Sequence, residues 1–365
     1  MSAEQKSALR KKPVGIDIFH CKALTGRFSH IAEIKVLLPA DDTAVSAAER
    51  NKTDAVRQQT GYGGSDGGEG LVSVLTDALG GCFVSAHAHD PLGRTIEASY
   101  GLARRTAIIE SAAASGLTLM SPDELDPLRA SSIGTGELIV DAIRRGAREI
   151  YIGFGGTGTN DGGKGMVEAM ESVRELWQDC RFIGLCDVTA PFCGPEGATA
   201  VYGPQKGVKA DQVAILDERF RELAGQYRTV MGRDVLTKPG SGAAGGMAGA
   251  LWAVLGGDLK PGADAVLDIL RFEHHLEGAS LVITGEGRID NQTLQGKLPS
   301  VVARRAKAFS PTLRVIAMTG RNGLTVPQSL FDTIIQITPD NVPLEKALDR
   351  DYAYGRLAEA GSRLV

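Results

Sequence analysis

The sequence predicts an α/β protein built on parallel strands. Three observations carry this. Short apolar runs rich in β-formers alternate with longer segments of helical periodicity over most of the chain, the pattern of strand–helix–strand units. These runs open into glycine-rich loops studded with polar residues, as strand-to-helix turns do. The composition pairs 46 glycines with only 5% aromatic residues, which suits many tight turns under aliphatic packing.

Taken in order, residues 14–19 and 31–40 are candidate strands. Ser46 with Glu49 three residues on reads as a capping box opening a helix to about residue 59. A glycine loop over 60–65 leads into Asp66-Gly-Gly-Glu-Gly70 and a helix over 71–79. Segments 83–89, 95–101 and 106–111 alternate apolar and polar residues around the turn Pro91-Leu-Gly93, so 82–130 reads as a β-rich insertion. Then α/β grammar returns: helix 136–145, strand 149–154, helix 165–177 and a short strand 182–186 ending at Asp187. A proline-bearing loop spans 189–207. Helices follow over 210–231, 246–255 and 262–270. A strand over 280–283 opens into a loop over 285–290. A helix over 299–309, strands 314–318 and 333–337 and a closing helix over 344–364 complete the chain.

At 365 residues the chain is long enough for roughly two domains. A net charge of −4 gives no basic field for nucleic acid or an anionic membrane. No apolar run reaches the roughly 18 residues of a spanning helix. The basic, polar start over 1–13 lacks the apolar stretch of a secretory signal, so a cytoplasmic location is expected. The five cysteines are odd in number with no C-x-x-C pair, so neither a disulfide framework nor a zinc site is signalled.

Function concentrates in five glycine loops. The longest continues Glu149-Ile-Tyr-Ile-Gly-Phe154 into Gly155-Gly-Thr-Gly-Thr-Asn-Asp-Gly-Gly163. Bare backbone N–H groups before a helix start suit an anion, and the hydroxyls and carboxylate suit a phosphate with its metal, or a polyol. The spacing is neither a dinucleotide fingerprint nor a Walker loop. The others are Asp66-Gly-Gly-Glu-Gly70, Ser131-Ser-Ile-Gly-Thr-Gly-Glu137, Pro239-Gly-Ser-Gly-Ala-Ala-Gly-Gly246 and Thr284-Gly-Glu-Gly-Arg-Ile-Asp290. Five such loops predict convergence on one polar ligand beyond the carboxyl ends of the strands.

With Glu110-Ser-Ala-Ala-Ala-Ser-Gly116, Cys186-Asp-Val188, Cys193-Gly194, Gly203-Pro-Gln-Lys-Gly207 and Gly296-Lys297, these motifs stand in an order that resembles the type I glycerate kinase family over roughly 66–365. The resemblance implies phosphorylation of glycerate by ATP with Mg²⁺, favouring 2-phosphoglycerate; the sequence leaves the oligomeric state open, a homo-oligomer included. It also implies two α/β domains: one flavodoxin-like with a parallel sheet, the other inserted into it with mixed β-structure. The boundaries follow as 1–80, 131–170 and 276–365 for the first, 81–130 and 171–275 for the second, with a cleft between.

Phosphoryl transfer needs a metal-holding carboxylate, cations and a group that orients or deprotonates the hydroxyl. Asp187, at a strand end, is the candidate base or metal ligand, against a loop cap. Asp66 and Glu69 are candidates for metal or glycerate hydroxyls. Asn160 and Asp161 could bind glycerate, or form an Asx turn that braces the loop. Lys206 and Lys297 are candidate phosphate cations, against solvated lysines. Glu286, Arg288 and Asp290 could grip substrate, Arg being suited to bidentate carboxylate binding, or form a structural ion pair. Gly242, Gly245 and Gly246 could cradle nucleotide phosphates, or permit tight packing. The chain departs from the family at two places. The Phe-Lys of the first motif is missing, Lys35-Val-Leu-Leu-Pro-Ala-Asp41 being the nearest match and Asp17 to Lys22 a rival. The segment 166–186 is also shorter. A member that keeps the cleft but has lost efficient turnover is therefore the competing reading.

Overall fold

A computed structural model describes residues 70–363, with the backbone alone for 16–22, 31–37 and 350. Eleven strands are described: β1 (Ile16–Lys22), β2 (Ile31–Leu37), β3 (Cys82–His89), β4 (Thr95–Ala103), β5 (Thr106–Glu110), β6 (Glu149–Gly153), β7 (Arg181–Leu185), β8 (Asp258–Lys260), β9 (Leu281–Asp290), β10 (Arg314–Gly323) and β11 (Thr333–Gln336). They form a six-stranded sheet in the order β3-β4-β5-β6-β7-β8 and a five-stranded sheet in the order β1-β2-β9-β10-β11. Both are mixed. The β3-β4-β5 meander is antiparallel and β5 to β8 are parallel. In the other sheet β9, β10 and β11 are parallel, and the β1-β2 hairpin adds an antiparallel edge.

Two-residue periodicity explains the layering. On β5 to β7, Ala107, Ile109, Ile150, Ile152 and Phe182 face one core, while Ile108, Ile183 and Leu185 face another. The first core is closed by the helices Ile133–Arg144, Lys164–Met170, Val213–Met231 and Met247–Ala253. The second holds the helices Leu71–Ala78, Gly262–Ile269 and Leu298–Phe309, and on its far side Val282, Val315 and Ala317 of the five-stranded sheet. The outer face of that sheet, with Leu281, Ile283, Ile316 and Met318, packs on Leu357 and Ala360 of the last helix, Arg350–Ser362. The order is therefore helices, sheet, helices, sheet, helix. Strands apolar on both faces are what parallel sheets under helices require.

The α/β class stands, with several elements revised. The segment 131–170 belongs with 81–130 and 171–275, because its strand β6 lies between β5 and β7. The β-rich stretch after residue 82 extends the main sheet and is no separate module. β9 runs on through 285–290, where a loop was expected, because β10 continues beside it to Gly323 and pairs with it as far as Asp290. The helix of 165–177 breaks into Lys164–Met170, a 3-10 turn and Arg174–Trp177. The closing helix breaks at Asp349, which leaves helical geometry and caps Arg350–Ser362 through a bond from Tyr352 N–H. The short strand β8 and the helix Ala198–Tyr202 went unforeseen. The expected helix after Ser46 and the loop over 60–65 lie outside the described residues.

Candidate functional site

The parallel strands of the larger sheet end in one register, with Glu110, Gly153, Leu185 and Lys260 side by side. Segments leaving this row form the rim where α/β proteins bind ligands. Ser111 closes it by donating its N–H (2.9 Å) and hydroxyl (2.8 Å) to the Gly153 carbonyl. Glu110 accepts the N–H groups of Gly70 (3.0 Å) and Val72 (3.1 Å), capping the first turn of the helix Leu71–Ala78. That bond delivers the end of the Asp66–Gly70 loop to the rim; Asp66 and Glu69 themselves lie outside the described residues.

Asp187 stands two residues past the end of β7. Its Oδ1 accepts the Gly262 N–H at 2.6 Å, at the start of the helix Gly262–Ile269. The side chain keeps solvent contact, yet enough protein surrounds the carboxyl to push its pKa up, and the like charge of Asp264 pushes the same way against the bonds from Gly262 and Ala263. A carboxylate with one oxygen anchored and its ionised form disfavoured is a place where a cation is welcome. Beside it, burial raises the Cys186 thiol to about 11, so it stays protonated.

The loop after β6 is held from three sides. Asp161 accepts four bonds: from Ser132 N–H and hydroxyl (both 2.8 Å), Gly163 N–H (3.0 Å) and Gly165 N–H (3.1 Å). Three of these reach Oδ2 and one Oδ1. Tyr227 donates to the Gly162 carbonyl at 3.1 Å. Lys206 is 2% exposed and donates from Nζ to the Thr159 carbonyl at 2.7 Å and, more weakly, to Thr157 Oγ1 at 3.4 Å. Burial lowers its pKa to about 8, opposed by the charge of Asp161. Asn160 donates from Nδ2 to Thr199 Oγ1 at 2.9 Å. Its Oδ1, like the hydroxyl of Thr159, is buried with no partner. Such orphaned acceptors are rare in folded proteins and mark where a ligand donor is missing.

The 240–246 stretch packs against this loop. Ala244, Gly245 and Gly246 all take positive φ. A Cβ on Gly245 would lie 2.1 Å from the Thr159 carbonyl oxygen, one on Gly242 2.2 Å from that of Pro191, and one on Gly246 2.6 Å from Gly162 Cα. All three glycines are buried. The direction a Cβ would take from each is filled by protein backbone and rings, so each position requires glycine for packing.

On the five-stranded sheet, Thr284, Glu286 and Arg288 alternate along β9 and so share a face. Glu286 is 4% exposed; its Oε1 accepts the Thr293 hydroxyl, and its Oε2 and the Thr284 hydroxyl are buried without partners. Burial raises the Glu286 pKa, with the Thr293 bond and the nearby Lys297 opposing. Asp290 caps the turn that follows it, accepting from Gln292 N–H (3.0 Å) and Thr293 N–H (3.3 Å), and Arg288 lies 3.6 Å from it with most of its guanidinium in solvent. Lys297 begins the helix Leu298–Phe309.

Comparison with known proteins decides the relationship. The glycerate kinase family model matches residues 40–173 and 170–364, nearly all of the described chain. The chain belongs to the glycerate kinase family. It is 39% identical to a glycerate kinase of Bacillus subtilis (strain 168), covering 80% of this chain and 84% of that one. It is 37% identical to a glycerate 2-kinase of Escherichia coli (strain K12), covering 79% and 84%. A crystal structure from Salmonella typhimurium LT2, assigned as a glycerate kinase 2, superposes with a TM-score of 0.68 at 36% identity, over 82% of this chain and 88% of that one.

Within this family frame the structure sorts the expected site residues. Asn160 keeps an unpartnered Oδ1 at the rim, and Asp187 stands there exposed and anchored to Gly262 N–H. Asp161 accepts four bonds that brace the loop. Lys206 is no free cation but a buried one. Gly242, Gly245 and Gly246 sit where a Cβ would clash with neighbouring backbone. Glu286, Arg288, Asp290 and Lys297 form a second group, and no hydrogen bond or ion pair among the described residues joins this group over 284–297 to the rim loops over 153–163 and 186–194. Sequence reasoning gave no role to Glu110 or Thr199. The first carried a signal, since it opens a quoted motif immediately before a helix; the second carried none.

Proposed function

We propose that the protein transfers the γ-phosphoryl group of ATP to a hydroxyl of glycerate, giving phosphoglycerate, ADP and a proton, with the 2-hydroxyl as the favoured acceptor. The observation that carries this reading is the carboxylate of Asp187, two residues past the end of β7, solvent-exposed and anchored through Oδ1 to Gly262 N–H. The residues present fit a divalent cation. Among the described residues no cluster of three or more His, Cys, Asp or Glu side chains can hold a metal alone, but Mg²⁺ in kinases needs only one or two carboxylates beside the phosphates. Asp187, with Asp264 nearby and Glu69 as a further ligand, would hold it. Bound there, Mg²⁺ neutralises phosphate charge.

In this reading Asp187 also orients the acceptor hydroxyl, and Asn160 Oδ1 accepts a hydroxyl proton of glycerate. The Glu286, Arg288 and Lys297 group supplies the opposite wall of a cleft between the two sheets, Arg288 facing a carboxylate and Lys297 a phosphate. The location in this reading is the cytoplasm; among the described residues no helix is long and apolar enough to cross a membrane.

The test incubates purified protein with ATP, MgCl₂ and D-glycerate and identifies the product by ³¹P NMR. A 2-phosphoglycerate resonance is expected, lost on adding excess EDTA and restored by Mg²⁺. ATP hydrolysis or silence with glycerate, where other hydroxy acids are also untouched, would favour the weakened family member.

A further inference from the structure

The loop of Gly155 to Gly163 lies over a cation that the sequence gave no reason to bury. Lys206 belongs to a 3-10 turn, Pro204–Lys206, fixed by Gly203 and Gly207. Gly207 takes φ 90 and closes the turn with its N–H on the Pro204 carbonyl at 3.2 Å; a Cβ there would lie 2.8 Å from Leu125 Cβ. Among the described residues the Lys206 ammonium meets no carboxylate within ion-pair distance; its partners there are the Thr159 carbonyl at 2.7 Å and the Thr157 hydroxyl at 3.4 Å. A buried ammonium is expensive unless paired, and a side chain kept for packing alone would be apolar. The cation therefore has work at this loop. Thr159 is the residue before Asn160, whose unpartnered Oδ1 is the acceptor facing ligand in the reading above, and it carries its own unpartnered hydroxyl.

We propose that Lys206 is the positioning residue of this loop: its buried ammonium holds the Thr159 carbonyl and so fixes Thr159 and Asn160 for ligand. It touches no substrate in this role. The loop has built-in reporters. Gly158 N–H donates to Ser115 and Gly162 N–H to Gly245, both at 2.9 Å, so both amides are protected while the loop is ordered. The charged group whose field reaches the ammonium is Asp161 of the same loop; the turn packed from the other side presents Leu125. Opening the loop would return the ammonium to its ordinary pKa, so between about 8 and 10.5 opening takes up a proton and loop order should rise with pH.

The experiment is amide hydrogen exchange, corrected for intrinsic rates, on the wild type and Lys206→Met. The methionine fills the space without a donor. Protection at Gly158 and Gly162 is expected to drop at least tenfold, with the helix Ile133–Arg144 unchanged. In the wild type, protection at these two amides should rise several-fold between pH 8 and 9.5, and in Lys206→Met it should stay level. Unchanged loop protection in the variant overturns the proposal. Should the variant fail to fold, the wild type decides alone, and a level profile across that pH range overturns it. A kinetic arm rests on the glycerate kinase reading: KM for glycerate should rise at least fivefold with a smaller change in kcat. Loss of loop protection in a protein that never phosphorylates glycerate would leave Lys206 its role and remove that reading instead.

Discussion

Single residues here divide into those whose polar atoms are held inside the fold and those that stand open to solvent. Asp187 is of the second kind. Asp187→Asn keeps an oxygen to accept the Gly262 N–H, so the fold should survive, while kcat should fall at least ~100-fold through loss of a general base or metal ligand. Near-normal turnover in the folded variant would make Asp187 a cap alone. Its pKa lies above the ordinary value in the folded chain, so between the two the folded state holds the extra proton. Stability from this group therefore falls as pH rises across that interval, and removing the charge should hold or raise the denaturation midpoint at neutral pH. Lys206 obeys the opposite arithmetic. Its pKa falls from 10.5 to about 8, so between these values the unfolded chain holds the proton, and stability rises with pH. Complete, this gain is on the order of 3 kcal/mol. Urea midpoints of the wild type should climb relative to Lys206→Met from pH 8 to 10; parallel curves would mean that the ammonium is not buried in solution. Residue roles were only half legible in the sequence for this reason. The residue types of Asp161 and Lys206 announced charge, but whether an oxygen or an ammonium is spent on its own backbone depends on Ser132 and Thr159, which lie 29 and 47 positions away.

At the scale of elements, strand and helix types were read well and their ends poorly. β6 was legible because its apolar run breaks into glycines at 155–156, and β5 and β7 because each is a short run of β-formers. β9 was cut short in the reading because Gly285 and Gly287 look like a loop; β10 pairs with it regardless, with Gly320 opposite Gly287. A glycine motif thus has two outcomes, an open turn or a close approach, and neighbouring chain decides which. The 240–246 stretch is the second case. Gly245→Ala should cost roughly 2–4 kcal/mol, the sum of a left-handed alanine and a clash with the Thr159 carbonyl. Gly146→Ala, also at positive φ but with nothing within 4 Å of its Cβ, should cost only about 1 kcal/mol. Denaturation of both variants measures the difference; equal losses would mean that the packing of 240–246 on the loop is looser than described.

The whole molecule sets how far these loops can move. A protein divided into two domains, as the family resemblance implies here, is expected to hinge between them. The layering gives a different constraint. One apolar cluster takes Ile108, Ile183 and Leu185 from the larger sheet and Val282, Val315 and Ala317 from the smaller, with Leu71, Leu75, Val266 and Leu267 between. Fully burying each such side chain contributes about 1.5–3 kcal/mol, so the middle layer is a substantial shared core. This was not visible in the sequence, because a helix apolar on two sides reads the same whether it touches one sheet or two. The two sheets should therefore unfold together. Leu267 is completely buried, and Leu267→Ala should destabilise by about 2–5 kcal/mol. Calorimetry should show one transition in the wild type, moved as a unit to lower temperature in the variant. Tryptophan fluorescence offers a local check, since Trp177 and Trp252 pack with the core on the far face of the larger sheet, away from Leu267. Its melting curve should shift with the calorimetric one. Two resolved transitions, with the fluorescence curve indifferent to Leu267→Ala, would mean that each sheet carries its own core and that the middle helices are a hinge.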